Sequence, residues 1–167
     1  MVPSSMTAVD AGSPWPQPFH VEPWRQQSAR AVGCPTVEFG ESLHQHCAKV
    51  AATLPVAGGL RLTCATVPVQ LPRAVAMRMT AIALELVDDA LTAFESGRGG
   101  RIGVSFRSVA IGWELVVEHS GPCTLAPYDR GSVDAASIRV LVNRLGGRLE
   151  RARLIGGVRS VVTVPCS

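Results

Sequence analysis

Glu85 and Asp89 stand four residues apart in a helix-patterned segment, with Thr92 one turn further on. Residues at that spacing share one face of a helix. Around them Val75, Met79, Ile82, Leu86 and Ala90 are apolar and suited to burial. An acidic pair on such a helix has to be solvated, paired with a cation or bound to a metal ion, because a buried lone carboxylate is costly. Hard carboxylate oxygens suit Mg2+. With an imidazole such as His119 added, two carboxylates and one nitrogen suit a divalent transition metal. A solvated helix edge is the plainer reading of the same spacing.

The elements that must position these residues begin near Val37. Glu41 to Leu54 reads as a helix stopped by Pro55 and the Gly58-Gly59 pair. Leu60 to Val67 alternates and is rich in β-formers, so it reads as a strand. Leu71-Pro72 opens the long helix that carries Glu85 and Asp89, with proline where a missing N–H costs least. Arg101 to Arg107 and Ala110 to Glu118 read as a hairpin, and Gly121 to Ser132 as a loop. Val133 to Leu145 returns to helical spacing and closes at Gly146-Gly147. Arg148 to Leu154 and Arg159 to Val164 form a second hairpin through Gly156-Gly157. Helices and hairpins grouped in this way predict an α+β fold, a two-layer sandwich of one mixed, mostly antiparallel sheet covered by about three helices.

Composition bounds the function classes. The chain has 167 residues, which suits one domain, and 47% of them are hydrophobic, enough for a substantial core. The net charge of +3 is mild and dispersed, and no aromatic-plus-basic cluster accompanies it, so nucleic acid is not an expected partner. Cys34, Cys47, Cys64, Cys123 and Cys166 are odd in number and widely spaced, without a CxxC pair. They read as small buried hydrophobes in a reducing compartment, and the expected location is the cytoplasm of a bacterial cell. Neither a signal peptide nor a membrane-spanning run is predicted. Residues 1 to 36 are Pro-rich, with Trp15, Phe19 and Trp24 among them as a candidate docking segment; the folded domain is expected over 37 to 167.

The order of elements and three local signatures resemble the ATP-binding domain of the histidine-kinase-like ATPases (the Bergerat fold), over roughly Glu41 to Pro165. Glu85-Leu-Val-Asp-Asp-Ala-Leu is similar to the family box in which a Glu is followed four residues later by an Asn that holds Mg2+. Val117-Glu-His-Ser-Gly-Pro-Cys123 is similar to the Asp-x-Gly-x-Gly turn whose Asp reads the adenine amine. Leu141-Val-Asn-Arg-Leu-Gly-Gly147, followed by Gly156-Gly157 and a strand ending at Pro165, resembles the last helix and hairpin of bacterial sensor-kinase catalytic domains. The resemblance implies ATP and Mg2+ as cofactors, Glu85 as general base, Asp89 at the metal position, and His119, Gly121, Cys123, Ser132 and Asp134 around the nucleotide.

Departures from the family pattern carry the functional reading. Asp89 brings an extra charge toward the triphosphate. An imidazole at His119 cannot accept from an amine and a water as a carboxylate does. Cys123 adds a side chain where backbone has to approach a ligand closely. In the lid, Gly131-Ser-Val-Asp-Ala-Ala-Ser137 has one glycine where phosphate-binding N–H groups are needed. Ser132 or Asp134 is better suited there to cap a helix. All of these changes weaken nucleotide binding.

No phosphoacceptor is predicted. His20 lies in the Pro-rich segment, while His44 and His46 lie on the first body helix, where structural histidines are expected. The prolines of the tail leave no room for a two-helix dimerisation module, so standard autophosphorylation by this chain alone is not expected. Three readings follow. The first is a stand-alone, degenerate ATPase-like domain acting through protein contacts with a response regulator, a phosphotransfer protein or a sigma factor. The second is a functional ATP/Mg2+-binding catalytic domain of a histidine kinase or anti-sigma serine kinase. The third is a divalent-metal or small-ligand module using Glu85, Asp89 and His119. A homodimer is compatible with each.

Overall fold

The computed structural model describes residues 35–54, 59–94, 99–121 and 133–166. The expectations for residues 1 to 34, for Cys123 and for Ser132 therefore lie outside the described residues, as does the side chain of Asp134.

Strand β1 (Thr36–Glu38) leads directly into helix α1 (Phe39–Thr53). The helix starts two residues before Glu41 because Glu38 caps it: one carboxylate oxygen accepts from the Gly40 N–H at 3.1 Å and the Val69 N–H at 2.9 Å, and the other accepts from the Glu41 N–H. A glutamate thus does the work usually given to a shorter cap residue. Strand β2 (Leu60–Thr66) follows, then β3 (Gln70–Pro72), which pairs antiparallel with β1 in a small ribbon that sequence patterning did not anticipate. Three residues per strand are too few to show alternation. Helix α2 (Arg73–Thr92) begins just after Pro72, and its first N–H, on Arg73, donates to the Pro35 carbonyl at 2.9 Å. Tertiary structure satisfies here a donor that no side chain caps.

Strands β4 (Gly100–Val109) and β5 (Gly112–His119) form the first hairpin, helix α3 (Val133–Arg144) comes next, and β6 (Arg148–Leu154) and β7 (Gly157–Pro165) close the chain. Helix α3 ends as Gly146-Gly147 foretold: Gly146 takes φ +62°, the Gly147 N–H donates to the Val142 carbonyl, and the Gly146 N–H donates to Asn143. This paired bonding is the Schellman C-terminus, which favours glycine at the left-handed position.

The main sheet has the order β2-β4-β5-β7-β6, with β2 and β4 parallel and every other pair antiparallel. This is the mixed, mostly antiparallel sheet with three helices expected from the sequence. Its register puts Ile102, Val104 and Phe106 in rows with Leu115, Val117, Val158 and Val162 on the inner face. Against them pack Met79, Ile82, Leu86 and Ala90 of α2, Leu43 and Cys47 of α1, and Ile138 and Val142 of α3, all buried. Phe39 meets Phe106 edge to face, with ring centroids 4.6 Å apart. On the outer face the cross-strand pairs Arg107 with Glu114 and Arg159 with Glu118 are joined by ion pairs of 2.5 and 3.2 Å.

Candidate functional site

The last turns of α2 lie over the end of the sheet where β5 finishes. The alternation that places Leu149 inward on β6 also places Arg151 inward, between the outward Glu150 and Ala152. Its guanidinium Nη2 forms an ion pair with the Asp89 carboxylate of α2. Both side chains are largely sheltered, Arg151 at 17% exposure and Asp89 at 32%. The carboxylate that sequence spacing left to be solvated, paired or metal-bound is paired.

Glu85 shares the face of Asp89 one turn earlier and is exposed. Thr92 does not reach into the site, because its hydroxyl donates to the Asp89 carbonyl at 2.7 Å.

His119 ends β5 and is buried at 6% exposure. Its Nδ1 accepts the Gly121 N–H at 3.3 Å, which leaves the proton of the neutral ring on Nε2. The edge of Phe94, at the C-terminal end of α2, meets the imidazole with centroids 5.9 Å apart. Burial depresses the His119 pKa, the positive charge of Arg151 depresses it further, and Asp89 partly opposes them. His119 is therefore neutral near pH 7, set in the same electrostatic neighbourhood as the Asp89–Arg151 pair.

The turn after His119 is held by backbone. The Ser120 N–H donates to the Arg101 carbonyl at 3.0 Å, and the Arg101 N–H donates to the Ser120 hydroxyl oxygen at 2.9 Å. A Cβ on Gly121 would lie 3.1 Å from Ala93, His119 Nδ1 and Phe94. Gly157, at the start of β7, approaches closer still, since a Cβ there would stand 2.0 Å from the His119 carbonyl oxygen. Glycine at these two places lets β5, β7 and the end of α2 converge on His119.

Asp89, His119 and Gly121 thus lie in one neighbourhood, and the exposed Glu85 shares the helix face of Asp89. Arg151 and Phe94 were missed. A charged residue at an inward register position of β6 was the available signal for Arg151; its partner, on another element, could not be read from the sequence. Among the described residues no group of three or more His, Cys, Asp or Glu is arranged to hold a metal ion. The residues present do not fit Mg2+ as they stand, because the one carboxylate at the expected place is engaged by a guanidinium. His44 is exposed on α1, and the half-buried His46 donates from Nδ1 to the Ser42 carbonyl at 2.7 Å, a local helix bond.

No family model matches the chain, and no curated protein matches it by sequence. Solved structures do. The histidine kinase domain of the blue-light activated histidine kinase from Erythrobacter litoralis superposes with a TM-score of 0.67 at 20% identity, over 77% of this chain and 61% of that one. The catalytic domain of histidine kinase ThkA gives 0.62 at 17% identity, over 78% of this chain and 95% of that one. The fold is that of histidine-kinase catalytic domains. ThkA in complex with response regulator protein TrrA matches as well, with a TM-score of 0.61 at 14% identity, over 79% of this chain and 41% of that one. Within the histidine-kinase fold, α2 is the helix of the first signature, the end of β5 is the second, and α3 with the β6–β7 hairpin is the third. Among the described residues no helix is long and apolar enough to cross a membrane.

Proposed function

We propose that this domain is a degenerate histidine-kinase-like ATPase domain that acts through protein contacts in two-component or phosphorelay signalling, with a response regulator or phosphotransfer protein as its partner. The Asp89–Arg151 ion pair carries the reading. A cation entering at Asp89 has to displace a guanidinium already bound there, and the triphosphate then meets an acid instead of an amide. His119, neutral and packed against Phe94, offers one ring N–H in place of a carboxylate. The likeness to ThkA, a kinase solved with its response regulator, supports the choice of partner class. A sigma factor as partner is the anti-sigma variant of the same reading.

Thermal melting with ATP, with and without Mg2+, tests it. Any ligand bound by the folded state alone raises stability by mass action, about 2.7 kcal/mol at one hundred times its Kd. The expected result is no rise at millimolar nucleotide, together with capture of purified receiver domains by the full chain. A rise that scales with MgATP would instead support the catalytic reading, which the exposed position of Glu85 on the Asp89 face favours. Capture of a sigma factor in place of a receiver domain would move the partner and leave the degenerate pocket standing.

A further inference from the structure

Cys47 belongs to the buried stripe of α1 with Phe39 and Leu43. Cys64 is the β2 residue in register with Val104, so it shares the inner face with Leu62 and lies beneath α1. Two thiols from different elements therefore face one another across the α1–β2 interface, close enough to influence each other's titration. Both are free, Cys47 buried and Cys64 half-buried on the edge strand of the sheet, which gives a small reagent a way in. The interaction with Cys64 lowers the pKa of Cys47 against the effect of burial, while the same interaction and burial raise that of Cys64. The two thiols therefore differ in acidity, with Cys47 the more acidic, an asymmetry of the kind found in reactive dithiols.

We propose that Cys47 and Cys64 are a peroxide-responsive dithiol that closes into a reversible disulfide and clamps α1 to strand β2. The Cys47 thiolate attacks one oxygen of hydrogen peroxide, the O–O bond breaks, and hydroxide leaves as Cys47 becomes a sulfenic acid. The Cys64 sulfur then attacks the Cys47 sulfur and displaces hydroxide, and its own proton goes to water. In sum two thiols and one peroxide give one disulfide and two waters. A dithiol reductant reverses the step by exchange. The closed bridge ties the capped helix α1 to the sheet edge across residues 47–64 and so fixes the two elements that flank that edge.

Treatment of the full chain with hydrogen peroxide, followed by peptide mapping under non-reducing conditions, reads the outcome. The expected product is a peptide pair linked through Cys47 and Cys64, with a melting temperature about 5 to 10 °C higher that returns to its starting value with dithiothreitol. Cys64→Ser abolishes both the linked pair and the rise. Because Cys64 is half-buried, that variant is a milder change than Cys47→Ser, and mapping of the unmutated protein needs no variant at all. Oxidation confined to the exposed Cys166, linkage through any other cysteine, or a thermal rise that persists in Cys64→Ser would overturn the proposal.

Discussion

Asp89 on α2 and Arg151 on β6 form an ion pair across the helix–sheet interface, although 62 residues separate them in the chain. The bond fixes the end of the long helix against the strand at the far edge of the sheet. Arg151→Ala leaves the partly sheltered Asp89 carboxylate without this counter-charge. The expected loss is on the order of 1 to 2 kcal/mol, between the values for exposed and for buried pairs. Urea denaturation of Asp89→Ala, Arg151→Ala and the double variant measures the coupling. Strict additivity of the two single changes would show that the pair contributes nothing.

His119 makes stability depend on pH below neutrality. Its folded-state pKa lies under the ordinary value of 6.5, so the unfolded chain binds the proton first as pH falls. Stability is therefore fully present above pH 6.5 and is lost as pH falls from there through the folded-state pKa. Between pH 8 and pH 5.5 the natural chain should lose more melting temperature than His119→Gln, which cannot take up that proton. Parallel curves for the two proteins would contradict this account.

Phe94 holds His119 in its buried setting and also fills the space above Gly100, where a Cβ would meet its ring at 2.1 Å. Phe94→Ala should cost about 3 to 5 kcal/mol, as other buried aromatic truncations do. Since burial is the main cause of the lowered His119 pKa, the variant should also bring that pKa back toward 6.5, read by NMR titration of the ring.

Gly157 and Gly156 are neighbours with opposite reasons for being glycine. A Cβ on Gly157 would stand 2.0 Å from the His119 carbonyl oxygen, whereas one on Gly156 has nothing within 4 Å but would sit at φ +85°. Gly157→Ala should therefore cost about 2 to 3 kcal/mol by overpacking against backbone. Gly156→Ala should cost about 1 kcal/mol through backbone conformation alone. Chemical denaturation of both variants separates the two, and only Gly157→Ala should shift the His119 resonances.

Much of the fold was legible in the chain. The 3.6 period of Met79, Ile82, Leu86 and Ala90 marked α2, alternation marked β2 and both hairpins, and Gly146-Gly147 marked the close of α3. Boundaries moved where a cap or a pairing lay outside the local pattern. Glu38 advanced α1 to Phe39 by bonding Gly40, Glu41 and the distant Val69. Leu71 and Pro72, expected to open α2, belong instead to the ribbon with β1. The cysteines also divided, since Cys47 is buried as expected but Cys166 is exposed.

The sequence by itself determined which chemical groups could share a site. Glu85 and Asp89 had to project from one helix face, and His119-Ser120-Gly121 had to end a strand. What each group does there was decided by tertiary structure. Asp89 became half of an ion pair only because the fold brings the end of α2 within reach of Arg151, turned inward on β6, and Cys47 faces Cys64 only because α1 lies on β2. Periodicity says which way a side chain faces within its own element. The charge or sulfur that meets it comes from another element, and only packing sets that distance.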